Sequence, residues 1–167
     1  MFEFALFLIF PAAMALAGSM DLFTMTIPNR ITLGLVLGFA VAAPFAGLGW
    51  WGLASHIAAF VLMLAIGIFL FAMGWFGGGD AKLLAAAALW IGLERLFEYV
   101  ILTSIAGGAL VLAILMYREM TPPVWLCGQE WATRLHKRAG GIPYGIALAA
   151  AGLWIYPKTP WLQTFAV

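Results

Sequence analysis

Long apolar stretches separated by short polar breaks run the length of the chain, at residues 4–20, 31–48, 52–73, 83–93, 97–116 and 142–156. A helix rises about 1.5 Å per residue, so crossing a hydrocarbon core of about 30 Å takes about 20 apolar residues. The first, second, third and fifth stretches reach or approach that length. The sixth is short and gains length from Gly140 and Gly141 in front of it. The fourth is shorter still, since from Ala81 to Leu93 a helix rises only ~20 Å. Either it does not cross, or its start at Asp80 lies below the membrane surface. The preceding Gly77-Gly78-Gly79 favours the second reading, because irregular backbone is tolerated at membrane depth where protein surrounds it. The pattern predicts an all-α membrane protein, a polytopic bundle of about six transmembrane helices forming one domain over residues 1–167. No internal repeat, low-complexity tract or second domain is visible.

Composition agrees with lipid as the main solvent. The chain is 65% hydrophobic and 9% charged, with mean hydropathy +1.06, where soluble chains are about half apolar and a quarter charged. Its eight tryptophans suit anchoring at the membrane interface. A net charge of +1 gives no case for nucleic acid as a partner. The single cysteine, Cys127, excludes an internal disulfide and a multi-cysteine metal site. His56 and His136 have no acidic partner in sequence, so neither a metal nor a cofactor is expected. The amino terminus lacks a basic region, Glu3 being its one early charge, so the first stretch reads as a retained span and not a cleaved signal peptide.

Charge sets the topology. Six spans place Arg30, Lys82, Arg118, Arg134, Lys137 and Arg138 on one face and only Arg95 and Lys158 on the other. The positive-inside rule then makes the first face cytoplasmic and both termini extracytoplasmic. Were the fourth stretch not to cross, residues 118–138 would leave the face that holds Arg30, and the asymmetry would vanish. The polar loop of residues 117–141 is broken at Pro122-Pro123, and residues 125–136 read as an interfacial helix with Trp125, Trp131 and Leu135 facing lipid. Glu94, Arg95 and Glu98 read as a charge cluster on the opposite face, and Gly34 with Gly38 as a small-residue helix contact.

Asp21 and Asp80 are the only aspartates, and this topology puts both at the cytoplasmic face. An ionisable group at a bilayer is a functional hypothesis by default, and two together suggest acid–base chemistry. Alternatives stand beside each. Asp80 after Gly77-Gly78-Gly79 is either a group carried to an unusual place by permissive glycines or a helix cap. Asp21 is either functional or a helix terminator. Lys82 opposes the dipole of a helix starting at Asp80, so helix stability does not account for it; holding a nearby carboxylate ionised would. Pro28 and Asn29 mark a helix start with Asn29 as N-cap, and Arg30 is a topology determinant. In Gly140-Gly141-Ile142-Pro143-Tyr144-Gly145, Pro143 suits a first helical turn, Tyr144 an interfacial anchor, and the glycines close contact with the aspartate loop.

Taken together, these residues resemble the type IV prepilin peptidases, intramembrane aspartic proteases of the G-x-G-D type. Asp21 with Ile27-Pro28-Asn29 is similar to the family's first aspartate motif, and Gly77-Gly78-Gly79-Asp80-Ala81-Lys82 to its second. Gly141-Ile142-Pro143-Tyr144-Gly145 is similar to the short members serving tight-adherence (Flp) pili. The resemblance implies catalysis by Asp21 and Asp80. It implies support from Gly77, Gly78, Gly79, Lys82, Pro28 and Asn29, and further support from Gly141, Pro143 and Tyr144. It implies cleavage of prepilin leaders after a glycine, at the cytoplasmic face of a bacterial inner membrane. The partners would be prepilins with a hydrophobic N-terminal helix, membrane lipids, and pilus or secretion assembly proteins. Larger members also methylate the new amino terminus and carry a cytoplasmic insert with paired cysteines. The short link between Asp21 and Arg30 and the lone Cys127 imply no methyltransferase activity here. A proton-coupled transporter and a non-catalytic pilus-assembly component are the alternatives. The first more often holds its carboxylates at the midplane, and the second has no reason to gather two at one face.

Overall fold

The computed structural model describes residues 6–121, 126, 128–137 and 141–163, and the regular elements among them are all helical. They are α1 (Ile9–Thr24), α2 (Asn29–Ala42), α3 (Trp50–Ala72), α4 (Gly78–Ile91), α5 (Leu93–Glu119), α6 (Glu130–His136), α7 (Tyr144–Ile155) and α8 (Pro160–Gln163). Short 3-10 turns, Ala43–Ala46 and Tyr156–Lys158, prolong α2 and α7. Pro122, Pro123, Trp125, Cys127, Arg138 and Gly140, and with them the expected proline break, lie outside the described residues.

The doubtful fourth stretch is the hub of the bundle. All of Leu83 to Ile91 on α4 is buried, as expected of a helix that is apolar on every side. It packs against α1, α2, α3, α5 and α7. Small residues let the backbones approach. A Cβ on Gly67 of α3 would lie 3.1 Å from the Ala81 Cβ, and one on Gly18 of α1 would lie 2.9 Å from the Ala149 Cβ on α7. This is the small-residue packing that membrane helices favour. Gly38 likewise meets Ile9, but Gly34 faces open space, so only half of the expected glycine pair makes a contact.

Three helices are long and apolar enough to cross a membrane by length and composition, over Asn29–Ala46, Trp50–Ala72 and Leu93–Glu119. Their outer faces are bare hydrocarbon, with Phe69, Phe97 and Leu112 all exposed. Such a continuous apolar surface is far beyond what a soluble monomer shows. The last long helix starts at Tyr144 with Gly141 outside it, so Gly141 does not lengthen it, and the Tyr156–Lys158 turn does.

At the end of the bundle where α1 begins, an aromatic cluster closes the core. Trp90 and Trp161 lie 4.9 Å apart between Phe10, Phe39, Tyr156 and His56. Trp50, Trp51, Trp75 and Trp154 are exposed, as interfacial anchors would be. Trp90 and Trp161 instead are fully buried. Their indole N–H groups donate to the Leu35 and Trp90 carbonyls, so burial leaves no polar group unpaired. His56 Nδ1–H donates to the Leu89 carbonyl at 2.7 Å and is a satisfied core residue. Glu98 takes Arg95 at 3.4 Å and Lys158 at 2.5 Å, so two of the expected charge cluster meet, joined by a residue from the far side of α7.

Candidate functional site

At the opposite end α1 finishes, and α2, α4 and α7 begin. α1 runs on past Asp21 for most of a turn, so Asp21 stands within the helix. The turn closes on Met25, whose N–H donates to the Asp21 carbonyl at 2.9 Å. Met25 takes φ 56°, the left-handed region that ends helices. Thr24 Oγ1 donates to the Met20 carbonyl at 2.7 Å and lies 2.8 Å from Thr26 Oγ1, tightening the link to α2. Pro28, not Asn29, is the N-cap of α2, and no side chain caps it. Asn29 occupies the first helical position, and its Oδ1 accepts a hydrogen bond from Lys82 Nζ at 2.9 Å. The side-chain oxygen is thus an acceptor for a lysine from another helix and not for the backbone amides of its own. Lys82 is exposed and joins α4 to α2 by this bond.

α4 starts with Gly77 as N-cap, so Asp80 is the third residue of the helix and not its cap. A Cβ on Gly77 would sit 2.6 Å from Asp80 Oδ2, and one on Gly79 would sit 3.2 Å from the Ile27 Cβ. Gly77 thus leaves room for the carboxyl folded back over it, and Gly79 for the chain entering α2. Gly78 meets only the Phe71 ring.

The two aspartates, far apart in sequence, come close enough to interact. Gly145 N–H donates to Asp21 Oδ2 at 2.7 Å. Asp80 lies near enough for the Asp21 charge and the Gly77 and Gly145 amides to act on its carboxyl. Asp21 is buried at 5% exposure, and Asp80 Oδ1 is buried with no protein partner. Two carboxyls so placed, one with an uncommitted oxygen, can exchange protons with a water or a bound carbonyl between them.

Gly145 went unnoticed as a site residue in the sequence, although it closes the Gly-Ile-Pro-Tyr-Gly motif. Its signal is spatial. A Cβ there would lie 2.8 Å from Asp21 Oδ2, 2.9 Å from Asp21 Cβ and 2.9 Å from Ile27 Cδ1. Pro143 is fully buried and is the residue before α7. Tyr144 packs on Phe76, ring centroids 5.9 Å apart, and is half-buried. Gly141 is exposed with nothing within 4 Å of its would-be Cβ, so it makes no close contact with the aspartate loop. Its carbonyl instead accepts from Arg118 Nη2 at 3.2 Å.

Arg118 and Arg134 hold the loop over this end. Arg118 Nε donates to the Leu135 carbonyl at 2.8 Å, and Arg134 Nη1 to the Phe23 carbonyl at 3.2 Å. The expected interfacial helix is therefore only Glu130–His136 and lies against protein. Leu135 is buried and not turned out to lipid, while Trp131 is partly buried and packs edge-on to the exposed Phe23 at 6.0 Å. A seven-residue helix is too short to persist alone, and the arginine bonds fix it to α1 and α5.

An all-helical bundle with a lipid-like exterior and two carboxyls gathered at one end is a membrane protein with a candidate acid–base pair. The chain matches the type IV leader peptidase family over residues 8–112, which include both aspartates, and it belongs to that family. It is similar to the prepilin leader peptidase/N-methyltransferase of Aeromonas hydrophila, 29% identical over 154 residues, covering 86% of this chain and 47% of that protein. The chain thus spans about half the length of the curated relative it matches. No solved structure matches it.

Proposed function

We propose that the chain is a membrane-embedded aspartic endopeptidase that removes the leader of type IV prepilins. The observation that carries this is that Asp21 and Asp80, both buried at one end of the bundle, lie close enough for their carboxyls to interact. Family membership supplies the substrate class. Two neighbouring carboxyls cannot both ionise easily, so the pair shares one proton and acts as a unit. The ionised member takes a proton from water, whose oxygen attacks the scissile carbonyl carbon. The protonated member gives its proton to the carbonyl oxygen. The tetrahedral adduct then breaks its C–N bond as the leaving nitrogen takes a proton from one member of the pair and a hydroxyl of the adduct returns its proton to the other, which restores the shared proton. Nothing in this sequence of steps needs a covalent intermediate or a metal. Gly77 and Gly79 let the Asp80 carboxyl reach the pair, while Lys82 and Asn29 fix the start of α4 against α2.

Six spans, counting α1, α4 and α7 with the three long helices, complete the proposal. Arg30, Lys82, Arg118, Arg134 and Lys137 lie at the aspartate end, and Arg95 and Lys158 at the other. By the positive-inside rule the pair faces the cytoplasm of a bacterial inner membrane, with both termini outside. Carboxyls at one end of the bundle favour a peptidase over a coupled transporter, whose site belongs at the midplane. Residues 25–28 alone link α1 to α2 and leave no room there for a cysteine-bearing insert, so the proposal is peptidase activity without methylation, on Flp-type prepilins, with cleavage after a glycine.

The test is purified protein in detergent or lipid, incubated with candidate prepilins and read by mass spectrometry. The expected product ends its leader at a glycine and carries no added methyl group. Asp21→Asn and Asp80→Asn should each lower kcat by about 10²–10⁴-fold, the usual worth of acid–base groups, with insertion unchanged. Near-normal cleavage by either inserted variant overturns the carboxylate-pair mechanism.

A further inference from the structure

Asp21 and Gly145 meet where two helices end. Asp21 lies in the last turn of α1, and Gly145 is the second residue of α7. Helix ends leave backbone groups without intrahelical partners, and they open more readily than helix interiors. The 2.7 Å bond from the Gly145 amide to Asp21 Oδ2 therefore joins two parts of the chain that need support from outside their own helices.

Two arginines supply it. The Phe23 carbonyl, which accepts from Arg134 Nη1 at 3.2 Å, is one of those left over at the end of α1, two residues after Asp21. Arg118, in the last turn of α5, reaches two segments at once. Its Nε donates to the Leu135 carbonyl at 2.8 Å and its Nη2 to the Gly141 carbonyl at 3.2 Å. These two nitrogens form one edge of the planar guanidinium, so a single rigid group fixes α6 and the approach to α7 together. Leu135 is the neighbour of Arg134, and Gly141 lies four residues before Gly145. The bonds close a circuit. It runs from Asp21 to Phe23, across Arg134 to α6, across Arg118 to Gly141, and on to Gly145 and back to Asp21. Tyr117 Oη adds a second tie between α5 and α6, donating to the Ala132 carbonyl at 3.4 Å.

Membrane topology alone does not ask for this geometry. Any cation on this face satisfies the positive-inside rule, and Arg30 and Lys137 do so while exposed. Arg118 and Arg134 are half-buried, and their donors are turned to carbonyls at the end of α1, at the end of α6 and just before α7. We propose that Arg118 and Arg134 are positioning residues of the peptidase, which brace α6 between the end of α1 and the approach to α7 and so hold the Gly145 amide on Asp21. This rests on the peptidase reading above. The arginines act through Asp21 and not on substrate. A displacement near 1 Å at a reacting group costs about 10²-fold in rate, so even partial loosening of the circuit shows in kcat.

The test measures prepilin cleavage and thermal unfolding side by side on the full chain in detergent or lipid. Lysine variants keep the charge that orients the chain in the membrane. Arg118→Lys loses the paired edge and should lower kcat about tenfold or more, with KM within about twofold. Arg134→Lys keeps one donor for the single Phe23 bond and should stay within about threefold of wild type, whereas Arg134→Met should lose about tenfold in kcat. Arg134→Met removes one bond and leaves α6 tied to α5, so it carries the test where Arg118→Lys does not fold. Both losses should shrink in a Gly145→Ala background, where Asp21 is already displaced, because the effects share one contact. A brace with no bearing on the site would lower the melting temperature and leave kcat of the folded protein unchanged. Substrate contacts would raise KM instead. Either result, equal losses in both backgrounds, or an Arg134→Lys as poor as Arg134→Met overturns the positioning role, while cleavage by wild-type protein keeps the peptidase reading. If wild-type protein cleaves no prepilin, the reading beneath it falls.

Discussion

Gly145→Ala is the sharpest test of the site because it adds one methyl group and removes no donor. The new Cβ would lie 2.8 Å from Asp21 Oδ2 and 2.9 Å from both Asp21 Cβ and Ile27 Cδ1. Ordinary contact begins at 3.4 Å, so the carboxyl must retreat by about 0.6 Å, where the dispersion potential is already steeply repulsive. Ile27 Cδ1 and the carboxyl oxygen can turn aside, but Asp21 Cβ is fixed to the α1 backbone, so the new methyl must displace Asp21 itself. Overpacking of this kind costs about 1–3 kcal/mol of stability, and a displacement near 1 Å at a reacting group costs about 10²-fold in rate. The expected result is kcat for prepilin cleavage lowered about 30- to 100-fold, KM little changed, and helix content retained by circular dichroism. Gly152→Ala serves as the comparison on the same helix pair, since its Cβ would meet the flexible Met14 Cε at 2.9 Å and the Phe10 ring at 3.3 Å, away from the carboxyls. It should lose stability and keep kcat. Wild-type kcat in folded Gly145→Ala would refute the idea that the Gly145 amide organises the pair.

Lys82→Met and Asn29→Ala should cost activity or stability together and not additively, because they break the same 2.9 Å bond. A double-mutant cycle should give a coupling of about 0.5–1.5 kcal/mol, and strict additivity would dissolve the pair. Met25→Gly should stabilise the protein by about 1 kcal/mol, since a side chain at φ 56° is strained there; a lower melting temperature in detergent would show that the methionine side chain outweighs the strain. For topology, cysteines placed at Thr121 and Glu94 in a Cys127→Ser background should label from opposite sides, Thr121 from the cytoplasm. Labelling of both from one side would remove α5 as a span.

Much of the fold was legible because lipid enforces a simple rule: apolar stretches become helices, and breaks become loops. The helices α1, α2, α3, α5 and α7 cover most of the residues that hydropathy marks. What hydropathy cannot give is which face of each helix meets protein. Lipid and protein interior are equally apolar, so Leu83 and Phe97 look alike in sequence although one is buried and the other exposed. The sorting follows small residues instead, such as Gly67 on Ala81 and Gly18 on Ala149. For the same reason Gly34 and Gly38, indistinguishable by spacing, have opposite surroundings.

The aspartates stood out because carboxylates are rare in such a chain and because glycines precede Asp80. Charge placed both at one face, but the amide that holds Asp21 was not legible, since it depends on where α7 begins relative to α1. Nineteen glycines carry no mark of their different duties. Gly145 is distinguished by the atoms of Asp21 and Ile27 that crowd the space a Cβ would fill and by the bond its amide donates to Asp21. Local chemistry also misled at Asn29, where a residue suited to capping spends its oxygen on Lys82 from another helix. Tertiary partners separated by 53 residues thus override a local preference worth about 1 kcal/mol. The same principle explains the short buried α4. A helix of 14 residues cannot traverse the hydrocarbon as a lone span. Surrounded by five others, it can begin below the membrane surface, and that start sets Asp80 inside the protein near Asp21.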